Sequence, residues 1–385
     1  MITTSTFFAV SDTAMKKRIV QVLVLLFFII PSIPGFASMQ PDSLSIKVGQ
    51  MLKIGFRGSS VGNAPEIAAD INQYHIGGIV LFDYDVPAHS PQRNIISPQQ
   101  LSNLTNELQK LSNIPLFIAI DQEGGKVNRL KKNYGFPASM SAEYLGKLNN
   151  PDSTTASAAK TARTLREMHI TMNLAPVADL NTNPDNPVIG KLGRSFSSVP
   201  ATVTSNLMYT FRAYHRNGII STLKHFPGHG SSTKDTHLDF TDVTATWSAK
   251  ELEPYRDLIA SGFQDAIMTA HVFNGNLDPL YPATLSKATL TDLLRNNLKF
   301  KGVIVSDDMQ MKSIADHYGL ETAIRLAIEA GVDILIFANN TTYDPAITSK
   351  AAAIIHSLLQ KKIITPERIN QSFQRIIQLK ERYTQ

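Results

Sequence analysis

The residues best equipped for chemistry lie between positions 224 and 237. The segment Lys224-His225-Phe226-Pro227-Gly228-His229-Gly230 runs on through Ser231-Ser232-Thr233-Lys234 to Asp235-Thr236-His237. An Asp two residues from a His can hydrogen-bond the imidazole and raise its basicity, so that it moves protons near neutral pH. The alternative is a solvated loop whose side chains are unrelated. His225, His229, Asp235 and His237 are all metal-ligand types, but neither HExxH nor another familiar zinc spacing is present, so no metal is expected. Lys224 and His225 are natural donors to substrate hydroxyls. His229 is expected to hold the shape of the loop rather than touch substrate.

Other reactive groups follow apolar runs. In Val303-Ile304-Val305-Ser306-Asp307-Asp308-Met309, a carboxylate at a strand end could be a nucleophile, a metal ligand or a helix N-cap, the last especially for Asp308. Asp121-Gln122-Glu123-Gly124-Gly125 puts a carboxylate before two glycines, which let backbone come close to a ligand. Asp121 could accept hydrogen bonds from two vicinal hydroxyls, while Glu123 is expected to support the loop. Arg194, flanked by Gly193 and Ser195, suits a polar ligand or a surface.

The elements that must position these groups alternate. Buried strands are read from Met51, Gly77, Pro115, Met172, Ser221, Ala266, Gly302 and Asp333, with helices at Ala64 to Tyr74, Gln99 to Leu111, Ala156 to Met168, Val203 to Asn217, Lys250 to Ser261, Leu290 to Leu298, Glu321 to Ala330, Tyr343 to Gln360 and from Pro366. Alternation implies parallel pairing, and near-continuous Val/Ile/Leu runs imply strands covered on both faces. Eight such units predict an α/β chain folded as one (β/α)8 barrel, with an open doubly wound sheet as the alternative. A barrel requires its active site at the C-terminal strand ends. Asp121, Asp179, Lys224, His225, His271, Asp307, Asp308, Asn339 and Asn340 fall there.

Composition agrees with a folded globular protein rather than a disordered one. The chain has 385 residues, 43% hydrophobic and 18% charged, with a net charge of +5. Its basic residues are scattered, so no nucleic-acid partner is expected. Lys16-Lys17-Arg18 precede a run from Ile19 to Ile30 that is apolar apart from Gln21, and Pro31, Pro34 and Gly35-Phe36-Ala37 follow. Residues 1–37 therefore read as a secretory signal peptide, with residues 38–385 as a single barrel domain, and an N-terminal membrane anchor is the alternative. There is no Cys, which excludes disulfides, thiolate chemistry and a lipoprotein anchor. A periplasmic or secreted monomer, without a membrane span once the leader is cleaved, is the expectation.

Several of these segments resemble glycoside hydrolase family 3, in its branch of single-domain β-N-acetylglucosaminidases. They are Asp121-Gln122-Glu123-Gly124-Gly125-Lys126-Val127-Asn128-Arg129, Asn173-Leu174-Ala175-Pro176-Val177-Ala178-Asp179, Arg194-Ser195-Phe196, the Lys224–Gly230 segment with Asp235-Thr236-His237, Met268-Thr269-Ala270-His271, Pro282-Ala283-Thr284-Leu285-Ser286 and Ser306-Asp307-Asp308-Met309. The resemblance implies a (β/α)8 barrel and retaining hydrolysis of a terminal β-linked N-acetylglucosamine, with no cofactor. It implies Asp307 as nucleophile, His237 as acid/base supported by Asp235, and sugar contacts from Asp121, Arg129, Arg194, Lys224 and His225. Two departures stand out. Lys126 replaces a more usual Arg, and the segment before Arg194 is longer than usual. Within the same family a β-glucosidase or β-xylosidase is the rival reading; outside catalysis, a sugar-binding barrel is.

Overall fold

In the computed structural model the described residues are Met1 and 44–383 other than His237. Apart from Met1, the expected leader, residues 1–37, lies outside the described residues, as does His237 itself. Eight parallel strands close into a barrel: β1 (Leu52–Gly55), β2 (Gly78–Leu81), β3 (Phe117–Ile120), β4 (Met172–Asn173), β5 (Ile220–Phe226), β6 (Ala266–Thr269), β7 (Val303–Asp308) and β8 (Ile334–Phe337). Each pairs with its sequence neighbours. Leu52 beside Leu335 and Ile54 beside Phe337 close the ring. The strands are almost wholly buried because helices cover their outer face, as continuous apolar runs require.

The helices start where side chains can satisfy their free amides. Ser97 accepts from Gln100 N at 3.2 Å, Asn150 from Ser153 N at 2.9 Å and Thr365 from Arg368 N at 3.3 Å, each with Pro at the first helical position. Among the described residues no helix is long and apolar enough to cross a membrane.

Two strands depart from the sequence reading. The run from Met172 to Asp179 is a strand only over Met172–Asn173, since Pro176 has no amide hydrogen to give the ladder. Conversely, β5 runs to Phe226, so Lys224 and His225 stand inside the strand rather than where a loop begins. Helices at Ala142–Leu148 and Lys312–Tyr318, each too short to show periodicity, went unread. The helix after β6, expected at Leu290 to Leu298, is wound as a π-helix over Ala288–Asn297.

Candidate active site

The C-terminal strand ends enclose a cleft of about 280 Å³, near the lower end of the ~300–1,000 Å³ of small-ligand sites. Asp121, Arg129, Arg194, Lys224, His225, Asp235 and Asp307 all line it, joined by Glu123 and Asp308. Seven of the eight residues to which the resemblance assigns a role thus meet in one place, brought there by β3, β5, β7 and the loops between them.

The floor is built around two buried acids. Asp179 is wholly buried. Its Oδ2 lies 2.6 Å from His225 Nδ1, and its Oδ1 accepts from His225 N at 3.1 Å and His229 N at 2.8 Å. One carboxylate therefore fixes both ends of the turn that leaves β5. Burial would push the Asp179 carboxyl up, but His225 holds it below its usual range. Gly230 completes the turn: a Cβ there would stand 1.7 Å from Leu180 O, so no larger residue fits. Leu238 N and Asp239 N return to Asp235 O, and Phe240 lies against Phe273 and His317, which anchors the far end of the loop.

Glu123 is the second acid, and its role differs from the loop support expected of it. Its carboxylate takes Arg194 in a two-point pair, with Nε and Nη2 each at 2.8 Å, and also faces Lys224 Nζ at 2.7 Å. Lys224 Nζ donates to Asp121 Oδ1 at 2.7 Å, and Arg194 Nη2 reaches within 3.3 Å of His225 Nε2. Burial would raise the Glu123 carboxyl; the two cations override it and hold it far below the usual carboxylate range. The same carboxylates outweigh the burial of Lys224 and keep it protonated. The long segment before Arg194 folds as a tight turn. Asn186 Oδ1 accepts from Val188 N and Ile189 N at 2.9 Å, and Arg194 Nη1 donates to Val188 O at 2.8 Å. That turn carries Arg194 into the cleft.

Asp307 is half-buried at the end of β7, where its Oδ1 accepts from Asp308 N at 2.8 Å. Asp308 is not a helix cap. Its Oδ1 accepts from Ala338 N at 3.0 Å and Gln310 N at 3.1 Å, which ties β7 to β8. His271 stays out of the cleft, with Nδ1 on Thr284 Oγ1 and Nε2 on Asp308 O. His229 is buried, with Ser232 Oγ at 2.6 Å and Thr236 Oγ1 at 3.3 Å from its ring nitrogens. Burial and the neighbouring His225 push its pKa down to about 4, so it is neutral at pH 7. With His225 held by Asp179 and facing a guanidinium, both described histidines of the motif have their ring nitrogens turned to protein groups rather than to a common metal position.

Beneath the turn, Glu251 Oε2 accepts from Gly230 N at 3.0 Å. Burial pushes its carboxyl up to about 7. A raised carboxyl pKa adds stability that is full below the unfolded value, near 4.3, and is lost as pH rises through about 7. Glu251→Gln should therefore abolish a loss on the order of 3 kcal/mol that wild type shows between pH 4.5 and 8. Urea unfolding of the two proteins across that range measures it, and parallel pH curves would exclude it.

The signals for Glu123 and Asp179 were partial. Each could be seen as an acid at or near a strand end, but which cations they would meet depends on residues many positions away.

The family described as glycosyl hydrolase family 3 N-terminal domain matches residues 43–379. A beta-hexosaminidase A of Pseudoalteromonas piscicida is 32% identical over 92% of this chain, which spans 64% of that protein's length. A beta-hexosaminidase of Tolumonas auensis is 35% identical over 69% of this chain and 76% of its own. Among solved structures, a glycoside hydrolase family 3 beta-N-acetylglucosaminidase of Paenibacillus sp. superposes with a TM-score of 0.81 at 34% identity, covering 89% of this chain and 62% of that one. A beta-N-acetylhexosaminidase of Beutenbergia cavernae gives 0.79 at 26%, covering 88% and 98%. The chain thus spans just under two thirds of the Pseudoalteromonas and Paenibacillus proteins. A match across nearly all of the described barrel makes this chain a member of glycosyl hydrolase family 3.

Proposed function

We propose that the protein is a retaining exo-β-N-acetylglucosaminidase. Asp307 attacks the anomeric carbon of a terminal β-linked N-acetylglucosamine, and the bond to the leaving oxygen breaks as a glycosyl–aspartate ester forms. His237 gives its proton to that oxygen. It then takes a proton from the water that hydrolyses the ester and frees Asp307. Asp235 orients His237, and Asp121, Arg129, Arg194, Lys224 and His225 hold the sugar hydroxyls. Each bond and proton is handled by side chains of the chain itself.

The observation that carries this reading is the convergence of Asp307 and Asp235 on one cleft already lined by the five sugar-contact candidates. They arrive from different elements, one on β7 and the other on the loop after β5. Substrates are the N-acetylglucosamine-ended fragments of peptidoglycan or chitin. Residues 1–37 export the enzyme to the periplasm or beyond, where it acts as a monomer in wall turnover or polymer degradation.

The test compares p-nitrophenyl β-N-acetylglucosaminide with the β-glucoside and with chitobiose or a muropeptide. Preference for the N-acetylglucosaminide is expected, and preference for the glucoside would overturn the substrate. His237→Ala should slow chitobiose by about 10²–10⁴-fold, as loss of a general acid does. The p-nitrophenyl substrate should suffer much less, because its leaving group needs little protonation. Equal losses on both would argue against His237 as the acid.

A further inference from the structure

After β2 the chain makes an excursion over residues 83–93. Phe82 N donates to Asn94 Oδ1 at 2.9 Å and Asn94 N donates to Phe82 O at 3.0 Å, which closes its neck. The excursion is fixed in place. Asp85 takes Arg57 through two hydrogen bonds, of 2.5 and 2.9 Å, and accepts from Ala88 N at 3.0 Å. At its base stands Asp83, wholly buried and absent from the cleft wall.

Asp83 faces two cations. One oxygen pairs with Lys131 Nζ, and the other lies 3.8 Å from Arg129 Nη1. Arg129 lines the cleft, and its Nη2 lies 3.8 Å from Asp121 Oδ2. Its guanidinium therefore hangs between two carboxylates over the Phe82 ring, 5.5 Å from the ring centroid. At 3.8 Å neither contact is a hydrogen bond. Arg129 Nε is buried with no hydrogen-bond partner among the described residues. The charge of Arg129 is balanced while its donors remain unspent.

We propose that Asp83 is a positioning residue that acts through Arg129. Its buried charge pulls the guanidinium back from Asp121, so that both groups present free hydrogen-bonding capacity to the sugar. Without that charge, Arg129 closes onto Asp121, and each then occupies the other. The proposal rests on the reading of Arg129 and Asp121 as sugar contacts.

The effect belongs to binding away from the reacting centre, so it falls mainly on KM. Asp83→Asn is expected to raise KM on p-nitrophenyl β-N-acetylglucosaminide by about 10-fold, with kcat changed less than about 3-fold. In the Arg129→Ala background the same substitution should add nothing, since its route is gone. Additive losses in this cycle would overturn the proposal. Lys131→Met removes the second cation that Asp83 faces but leaves its hold on Arg129, and should keep a wild-type KM. A KM as high as that of Asp83→Asn would make Asp83 a mere staple of the excursion. If Asp83→Asn does not fold, the cycle is run with Asp83→Glu, which keeps the charge but displaces it; a smaller KM increase that vanishes in the Arg129→Ala background is expected, and one that persists would overturn the proposal. Failure of the underlying reading has its own signature, because Arg129→Ala alone would then leave KM unchanged.

Discussion

Asp307→Ala is expected to cut turnover of p-nitrophenyl β-N-acetylglucosaminide by at least about 10³-fold, with fold and stability little changed. Loss of a covalent nucleophile removes the whole two-step route rather than one stabilising contact. The neighbouring carboxylate cannot take over. Asp308 is committed to Ala338 N and Gln310 N, and turning it into the cleft would undo the tie between β7 and β8. By contrast, the Asp307 side chain accepts from the adjacent Asp308 N, a donor that water can satisfy in the variant. Near-UV circular dichroism and the urea midpoint should therefore match wild type while activity is lost. Turnover close to wild type would remove Asp307 from the nucleophile role.

The fold was legible because its signal is local. Runs such as Val303–Val305 and Ile334–Phe337 are continuous and apolar, and a strand covered on both faces is what such runs become. Their ionisable ends gave the rim, because a barrel puts its chemistry there. What failed to show was tertiary. The reading of Lys224 and His225 as the end of β5 missed that the ladder continues to Phe226, whose pairing with Thr269 is set by β6. The cap reading of Asp308 was sound local chemistry, but the helix begins later, at Lys312, and the carboxylate is spent on β8 instead. Asp83 has no motif at all. Its meaning lies in Arg129 and Lys131, two elements away, and spacing cannot announce that pairing.

Glu123 illustrates the same limit with the largest consequence for the folded protein. It is the hinge of a chain of charges that alternates from Asp121 through Lys224 and Glu123 to Arg194, beyond which lie His225 and Asp179. Glu123→Gln keeps the shape and removes the charge, leaving two buried cations with one fewer counter-ion. Breaking a buried pair in this way costs about 3–5 kcal/mol, because the remaining charge stays desolvated. Lys224 keeps Asp121, so the larger displacement falls on Arg194, which is left beside His225. A shift of about 1 Å in a substrate-positioning group costs about 10²-fold in rate, and kcat/KM should fall by 10²–10³-fold. The pH dependence has a definite sign. A depressed carboxyl pKa contributes stability that is full above the unfolded value, near 4.3, and is lost as pH falls toward the folded one. The stability gap between wild type and Glu123→Gln should therefore be constant from pH 5 to 8 and narrow below about pH 4. Urea unfolding at pH 7, 5 and 3.5, beside steady-state kinetics at pH 7, reads both effects. A variant as stable and as active as wild type would show that Arg194 and Lys224 are held by other means.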